Sequence, residues 1–336
     1  MTTIKNNRAP SRRTFIKAAV AAGVAAPALL RSRAALAAYP DRPVKIVVAN
    51  TPGGPSDLVG RVVAAALEQS TGKTFIIENR GGAGGNIGMS YVAHSDPDGY
   101  TLLLATTAFS VNPGLYNKLP FDPLKDFVAV SDLAGAPNLF AVQKDSPAKT
   151  IKEFVALARE NPAKYNISVP PIGTTPQLQA TLLKLRENLP KIEEVVFKGG
   201  GDALTALLSG TVQLASNSLG PCLPHMKAGA IRALGICAEA RWPEFPDVPT
   251  MIEQGYQDFI FATDMALLAP AKTPPDIVKW LEAETLKVMS TPEMKDRLFK
   301  SGFLVRPKGA AECWKRMTHE MEVYKNILDT AHIAKL

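Results

Sequence analysis

Residues 52–57 combine adjacent glycines with small polar residues, directly ahead of a segment with helical periodicity. Gly53 and Gly54 lie between two prolines and are followed by Ser56 and Asp57. Adjacent glycines let the backbone approach a ligand closely, and the helix behind them directs its free N–H groups and positive dipole end at the same point. This loop suits a small anion, with a tight turn capped by Ser56 as the alternative interpretation.

A second loop of the same type lies at residues 172–176, between a predicted strand and a predicted helix. Two such loops on facing lobes would form a clamp, and neutral side chains at other strand ends would add hydrogen-bond donors. The candidate ligand-binding residues are therefore Asn50, Gly53, Gly54, Ser56, Asp57, Thr106, Thr107, Phe109, Gly173, Thr174, Thr175 and Asn217.

A longer glycine-rich loop occupies residues 81–88. A dinucleotide fingerprint would place its glycines on the first strand-to-helix turn and an acidic residue at the end of the next strand. This loop follows the second predicted strand instead, and the next strand ends in Thr106 and Thr107. Nucleotide binding is therefore not indicated, and no cofactor is expected.

The residue patterns of common catalytic centres are missing. The sequence contains no G-x-S-x-G elbow, H-E-x-x-H helix, C-x-x-C pair or P-loop. Cys222 and His225 are close in sequence, but no third residue can be named that would orient them as a nucleophile pair. The three cysteines are interpreted as ordinary small residues, with a disulfide between Cys222 and Cys237 as the alternative. No catalytic or metal-binding residue is assigned, and the protein is not expected to be an enzyme.

The N-terminal segment predicts export. A twin-arginine pattern at residues 11–17 precedes a short apolar run at residues 18–30 and a small-x-small site at residues 35–37, so cleavage is expected after Ala37. Seven of the 38 basic residues and none of the 31 acidic ones lie in this signal peptide, residues 1–37, so the net charge of +7 falls to zero on cleavage. Nucleic acid is therefore not expected as a partner. We expect a monomer, free in the periplasm.

From residue 44 onward, short β-branched runs alternate with helical segments, which is typical of βαβ units. Strands are predicted at residues 44–49, 74–78, 100–106, 127–133, 139–143, 165–169, 193–197, 212–216, 231–237 and 259–268. The mature chain of about 300 residues fits two domains better than one core. The predicted class is α/β, with lobe 1 formed by residues 38–137 and 240–336, lobe 2 by residues 138–239, and two chain crossings as a hinge.

In these residues the chain resembles the Bug family, the extracytoplasmic solute receptors of tripartite tricarboxylate transporters. The likeness begins at residue 39, and its motifs lie at residues 52–57, 78–88, 98–103, 112–116, 198–199, 223–229, 246–255 and 268–270. The resemblance implies a type II periplasmic-binding-protein fold that closes around a small organic carboxylate and delivers it to membrane permease subunits. It also implies that backbone amides and waters hold the carboxylates, with few charged side chains.

The chain departs from the family pattern in the loops. Pro55 stands where a glycine is frequent, and Pro170 and Pro171 replace an Ala-Gly pair, so N–H donors for a second carboxylate are lost. Asn217 replaces a usual aspartate and withdraws a partner for a ligand ammonium, while Phe109 could offer a ring face. We therefore expect a ligand with one strongly held carboxylate and a less polar or aromatic remainder.

Two other functions are compatible with the same sequence. A ligand sensor for a membrane signalling kinase would use the same clamp and differ only in its partner. A periplasmic enzyme would fit the twin-arginine route, which often carries proteins folded around a cofactor, but no cofactor motif supports it.

Overall fold

Most strands of the fold are followed by a helix, as predicted from the alternating pattern. The structure is a computed structural model and describes residues 39–336. The predicted signal peptide, residues 1–37, and the twin-arginine pattern lie outside the described residues. Residues Pro43–Leu336 form one compact unit.

Most strands and helices follow the predicted order with small shifts of their ends, whereas the helix at residues 108–115 and the strand at residues 304–305 were not predicted. The strands are β1 (Val44–Val48), β2 (Phe75–Asn79), β3 (Thr101–Thr106), β4 (Phe127–Gln143), β5 (Ile167–Val169), β6 (Glu194–Val196), β7 (Leu214–Ser218), β8 (Ile231–Ile236), β9 (Ala262–Pro270) and β10 (Leu304–Val305). The helices are α1 (Pro55–Thr71), α2 (Asn86–Ala93), α3 (Ala108–Leu115), α4 (Ile151–Glu160), α5 (Thr175–Arg186), α6 (Gly200–Leu208), α7 (Leu219–Lys227), α8 (Pro275–Met289), α9 (Pro292–Phe299) and α10 (Ala310–Thr330).

Two sets of parallel strands lie at the two ends of the sheet order β2-β1-β3-β9-β4-β7-β5-β6. In the first set, β1 pairs in parallel with β2 and with β3. In the second set, β5 pairs in parallel with β6 and with β7. The antiparallel pair of β4 and β9 lies between the sets, and β8 and β10 both pair with β4.

Strand β4 differs from the sequence prediction, which expected two separate strands at residues 127–133 and 139–143. The structure has one strand of 17 residues, whose register on β9 shifts at two bulges. Gly135 and Pro137 weaken the strand pattern locally, but β9 supplies ladder partners across both of them. Residues 127–137 pair with β9, whereas residues 138–143 pair with β7 and β8. The strand therefore changes partners between Pro137 and Asn138.

Local sequence signals explain how helix α4 begins and why helix α3 was not predicted. At α4, the Thr150 hydroxyl accepts a hydrogen bond from the Glu153 N–H (3.2 Å), as predicted from the capping box. The Glu153 carboxylate accepts from the Lys149 N–H (2.7 Å), one residue ahead of the expected position. Helix α3 was not predicted, because Pro113 lies inside it and proline weakens a helical pattern.

The segment between β8 and β9 packs on the second set of strands. Trp242 is buried in a cluster with residues of β8, and Met251 lies in a cluster with residues of β4 and β5. The ring of Phe259 is 6.1 Å from that of Phe140 on β4. The Phe261 carbonyl accepts from the Asn138 N–H (2.9 Å). Residues 242–261 therefore share the core of β5–β8.

The three cysteines are free and buried. Burial raises the pKa of the Cys222 thiol to about 12, so it is neutral at ordinary pH. The interpretation as small core residues fits this placement, and no bridge joins Cys222 to Cys237. Within the part of the chain that the structure covers, no helix is long and apolar enough to cross a membrane.

Candidate functional site

The carboxyl ends of both sets of parallel strands open onto one cleft of about 560 Å³. Ligands of α/β proteins bind outside this end of the strands, where the strand-to-helix loops converge. The cleft is lined by Ala49, Asn50 and Thr51 after β1, Gly81 and Gly82 after β2, Thr107 and Ala108 after β3, residues 170–176 after β5, Lys198, Gly200 and Gly201 after β6, and Ser218 at the end of β7.

Six helices of the described chain begin at this cleft. Each contributes its first residues or its capping residue: Pro55 and Ser56 of α1, Gly85 before α2, Ala108 of α3, Thr175 of α5, Gly200 of α6, and Ser218 before α7. The first turn of a helix has N–H groups without intrahelical partners and a positive dipole end. Within residues 39–336, no aspartate or glutamate lines the cleft. The arrangement favours a bound anion.

The first loop places two of its five predicted residues at the cleft, and the other three do not line it. Asn50 and Ser56 line the cleft, and the Ser56 hydroxyl donates to Asn50 Oδ1 (3.2 Å). Asp57 is buried below the loop, where its Oδ2 accepts from the Gly53 N–H (2.9 Å) and from Arg61 Nε (3.1 Å). Gly53 is thus held by Asp57 and does not line the cleft, and neither does Gly54.

The ionisation of Asp57 follows from these contacts. Burial alone raises its pKa, but the hydrogen bonds from Arg61, the Gly53 N–H and Asn79, together with the charge of Arg61, outweigh burial, so the pKa lies below the ordinary 3.8. The carboxylate is therefore ionised at neutral pH and fixes the shape of the loop from behind. Asp57 positions the first loop and does not contact the cleft.

The second loop lines the cleft but uses its own donors internally. The Gly173 N–H donates to Gln177 Oε1 (3.2 Å), and the Thr174 N–H donates to the Pro171 carbonyl (3.1 Å). The Thr174 hydroxyl donates to the same carbonyl (2.7 Å). Thr175 Oγ1 lies 3.5 Å from Thr263 Oγ1 on β9. The N–H groups of Gly173 and Thr174 are therefore bonded within the loop.

Two residues after β3 have structural roles. Thr106 and Thr107 line the cleft, but the Thr107 hydroxyl accepts from the Asp264 N–H (2.9 Å) and lies 3.3 Å from the Ala262 carbonyl, which ties α3 to β9. Phe109 is fully buried, and its ring packs edge-to-face on Phe127 at 5.1 Å. The expected ring face is therefore not at the cleft, because α3 turns Phe109 into the core.

Asn217 lines the cleft, and its side-chain amide forms two hydrogen bonds within the protein. Its Nδ2 donates to the Gly200 carbonyl (2.7 Å), and its Oδ1 accepts from the Ser218 N–H (2.9 Å). The side chain is buried and joins the end of β7 to the start of α6. Asn217 holds the loop after β6 in place.

The sequence-based assignment missed two loops that line the cleft. One is the glycine-rich loop after β2, where Asn112 Nδ2 donates to the Gly84 carbonyl (3.0 Å). The other is the loop after β6, which contributes Lys198. Both follow the carboxyl end of a parallel strand, so the strand-end rule would have included them. Within the described residues, no group of three or more His, Cys, Asp or Glu is arranged to hold a metal ion.

Comparison with known proteins identifies the family of this chain. The profile of the tripartite tricarboxylate transporter family receptor, TctC, matches residues 59–332. The chain belongs to this family. Protein BugT of Bordetella pertussis is 33% identical over 259 residues, which cover 76% of this chain and 77% of BugT. The predicted Bug-family resemblance is therefore confirmed, and the family is one of solute receptors.

Solved structures of the same type share the fold. The structure described as R. palustris Rpa4515 with adipate has a TM-score of 0.81 at 31% identity, and the alignment covers 89% of this chain and 100% of that chain. MatC (Rpa3494) from Rhodopseudomonas palustris with bound malate has a TM-score of 0.76 at 31% identity. This alignment covers 86% of this chain and 100% of that chain. The predicted α/β fold of a periplasmic binding protein is confirmed.

Proposed function

We propose that this protein is a periplasmic receptor that binds a small organic carboxylate in the cleft and performs no reaction on it. The observation that carries the proposal is the convergence of six helix N-termini on a cleft whose described lining has no acidic side chain. Such a cleft attracts negative charge from several directions at once. Adipate in Rpa4515 and malate in MatC are ligands of this class.

The lining also narrows the chemistry of the ligand. Because no carboxylate faces the cleft in residues 39–336, a ligand ammonium would lose its water without gaining an ionic partner, which disfavours amino acids. Part of the wall is apolar, formed by Pro170, Pro171, Ile172, Pro221 and Met265. Such a wall suits an aliphatic or aromatic body that carries the acid group.

We further propose that the cleft closes when the ligand binds. Strand β4 changes partners between Pro137 and Asn138, which supports a hinge at the predicted boundary between residues 137 and 138. The contacts of Trp242, Met251 and Phe259 with the second core favour a return crossing near residue 261 rather than residue 239. Each lobe supplies three of the six loops, so only a closed state makes all contacts.

Export and delivery complete the proposal. The receptor would leave the cytoplasm through its twin-arginine signal, act as a monomer, and pass its ligand to the permease subunits of a tripartite tricarboxylate transporter, as the family description implies. Replacing Arg12 and Arg13 by lysine is expected to leave the protein in the cytoplasm, because the pattern is read by a receptor rather than as charge alone. Cell fractionation measures this, and mature protein outside the membrane would contradict it.

Calorimetry with matched ligands tests the binding proposal. Each acid of a panel of mono-, di- and tricarboxylates is titrated beside its uncharged amide, which keeps the shape and removes the charge. We expect at least one acid to bind and its fully amidated form not to bind. Binding of the amides as tightly as the acids would refute an anion receptor. Small-angle scattering with the best acid is expected to show a smaller radius of gyration, and the ligand is expected to be recovered unchanged.

A further inference from the structure

Lys198 is the one charged side chain that lines the cleft within residues 39–336. It lies after β6 and two residues ahead of α6, on the second set of strands. Its side chain is exposed, and no ion pair or hydrogen bond of its ammonium group occurs in the described residues. A lysine placed at a cleft of this kind carries a full positive charge, where the helix termini supply only partial ones.

Neighbouring acids do not neutralise Lys198. Lys184, in the same part of the molecule, pairs with Glu194 at 3.3 Å, and Lys227 pairs with Glu244 at 2.7 Å. Glu194 and Asp202, each four residues from Lys198, are the acids nearest in sequence, and neither forms an ion pair with Lys198 in the described chain. The ammonium group is therefore available to an anion from outside.

The polar groups near Lys198 are bonded within the protein, so Lys198 itself is the group that can attract an anion. Beside it, the Asn217 amide is already bonded to Gly200 and Ser218, and the turn at residues 170–174 keeps its own donors. Among the side chains on the side of the cleft that the loops after β5, β6 and β7 form, within residues 39–336, Lys198 is thus the strongest donor left for a ligand. An anionic group bound there would be distinct from one bound by α1 on the opposite side.

We propose that Lys198 determines the charge of the preferred ligand by binding a second anionic group, so that the receptor selects dicarboxylates over monocarboxylates of the same length. This rests on the proposed function. The sequence predicts a single strongly held carboxylate because prolines in the loops remove backbone N–H donors. That prediction also relies on Phe109 as a ring face for the ligand and on Asn217 in place of an acid. The structure buries Phe109 in the core and bonds Asn217 within the protein, while it adds a lysine to the cleft.

A pair of ligands that differ by one charge tests the proposal. Straight-chain diacids from succinate to suberate are titrated into the wild-type protein by calorimetry, and the tightest binder is compared with its own monoamide. We expect the diacid to bind roughly tenfold more tightly than the monoamide, as for a charge pair that loses water on closure. In Lys198→Gln, this ratio is expected to fall to about one through weaker diacid binding, with the monoamide changed less than about twofold.

Matched variants make the outcome specific. Lys198→Arg keeps the charge and is expected to keep the preference for the diacid. Lys191→Gln removes an exposed lysine of the same lobe that does not line the cleft, and it is expected to change neither affinity. A ratio unchanged in Lys198→Gln, or equal affinities in the wild-type protein, would overturn the proposal for Lys198 while leaving the carboxylate receptor intact. Binding of no acid at all would overturn the receptor function itself.

Discussion

The loops after β1 and β5 look alike in sequence but have different roles in the structure. Each combines glycine with serine or threonine ahead of a helix, and each lines the cleft. In the first loop, Asp57 accepts the Gly53 N–H from behind, so the loop is shaped by a residue outside the cleft. In the second loop, the Gly173 and Thr174 N–H groups bond to Gln177 and Pro171 within the same turn.

The N–H groups of Gly53 and Gly173 are thus both bonded inside the protein, and the two loops differ in the space around these glycines. Gly173 has φ +85°, and a Cβ placed on it would lie 2.4 Å from Leu115 Cδ2 on α3. Gly53 has φ +82°, but a Cβ there would have no atom within 4 Å. The second loop is therefore a packing element between α5 and α3, whereas Gly53 in the first loop is exposed and packs against no other element. Three predictions test this contrast.

The largest effect is expected for Gly173→Ala. Alanine at a positive φ costs about 1–2 kcal/mol, and the overlap with Leu115 adds about 1–3 kcal/mol. We expect the free energy of unfolding to fall by about 2–5 kcal/mol, as measured by urea denaturation.

The matched control is Gly53→Ala, which has nearly the same φ but open space around the new methyl group. Its free energy of unfolding is expected to fall by only about 1–2 kcal/mol. Equal losses in the two variants would mean that backbone strain alone acts, and the packing role of the second loop would be rejected.

An intermediate effect is expected for Asp57→Asn. The asparagine still accepts from the Gly53 N–H but loses the charge, so about 1 kcal/mol of stability is expected to be lost at neutral pH. Because the folded-state pKa of Asp57 lies below 3.8, the stabilisation by its carboxylate is complete above that pH and is lost as the pH falls through the folded-state pKa.

Urea denaturation as a function of pH measures this prediction. The stability difference between the wild-type protein and Asp57→Asn is expected to be constant near neutral pH and to shrink in acid. A difference that grows as the pH falls would have the wrong sign for a carboxylate with a lowered pKa.

The smallest effects are expected from removing the hydroxyl groups of Ser56 and Thr174. The first change is expected to alter ligand affinity and the second to alter stability. Ser56→Ala removes the hydrogen bond that orients the Asn50 side chain at the cleft, so the affinity for the best-binding acid should fall roughly fivefold. Thr174→Val removes a hydroxyl that donates to Pro171, so stability should fall by about 1 kcal/mol while affinity changes less than about twofold. Calorimetry and urea denaturation separate the two, and a larger affinity loss in Thr174→Val would show that the second loop binds ligand through its hydroxyl.

The amino-acid sequence determined the succession of elements, because the information for it is local. Alternating β-branched runs and helical segments predicted β1, β2 and β3, and the helices α1 and α2, to within about two residues. Thr150 capped α4 as expected, since its hydroxyl bonds to an N–H three residues away. The motifs also identified the family, because many short matches in fixed order specify one fold.

Only the tertiary structure decided which of these residues face the ligand. Phe109 and Lys198 both follow a parallel strand, yet one is buried against Phe127 and the other lines the cleft. Whether the N–H of Gly173 is free depends on Gln177, and whether the amide of Asn217 is free depends on the carbonyl of Gly200. These contacts depend on how helices and loops pack in space, and a spacing pattern along the chain does not encode the direction in which a loop presents its donors.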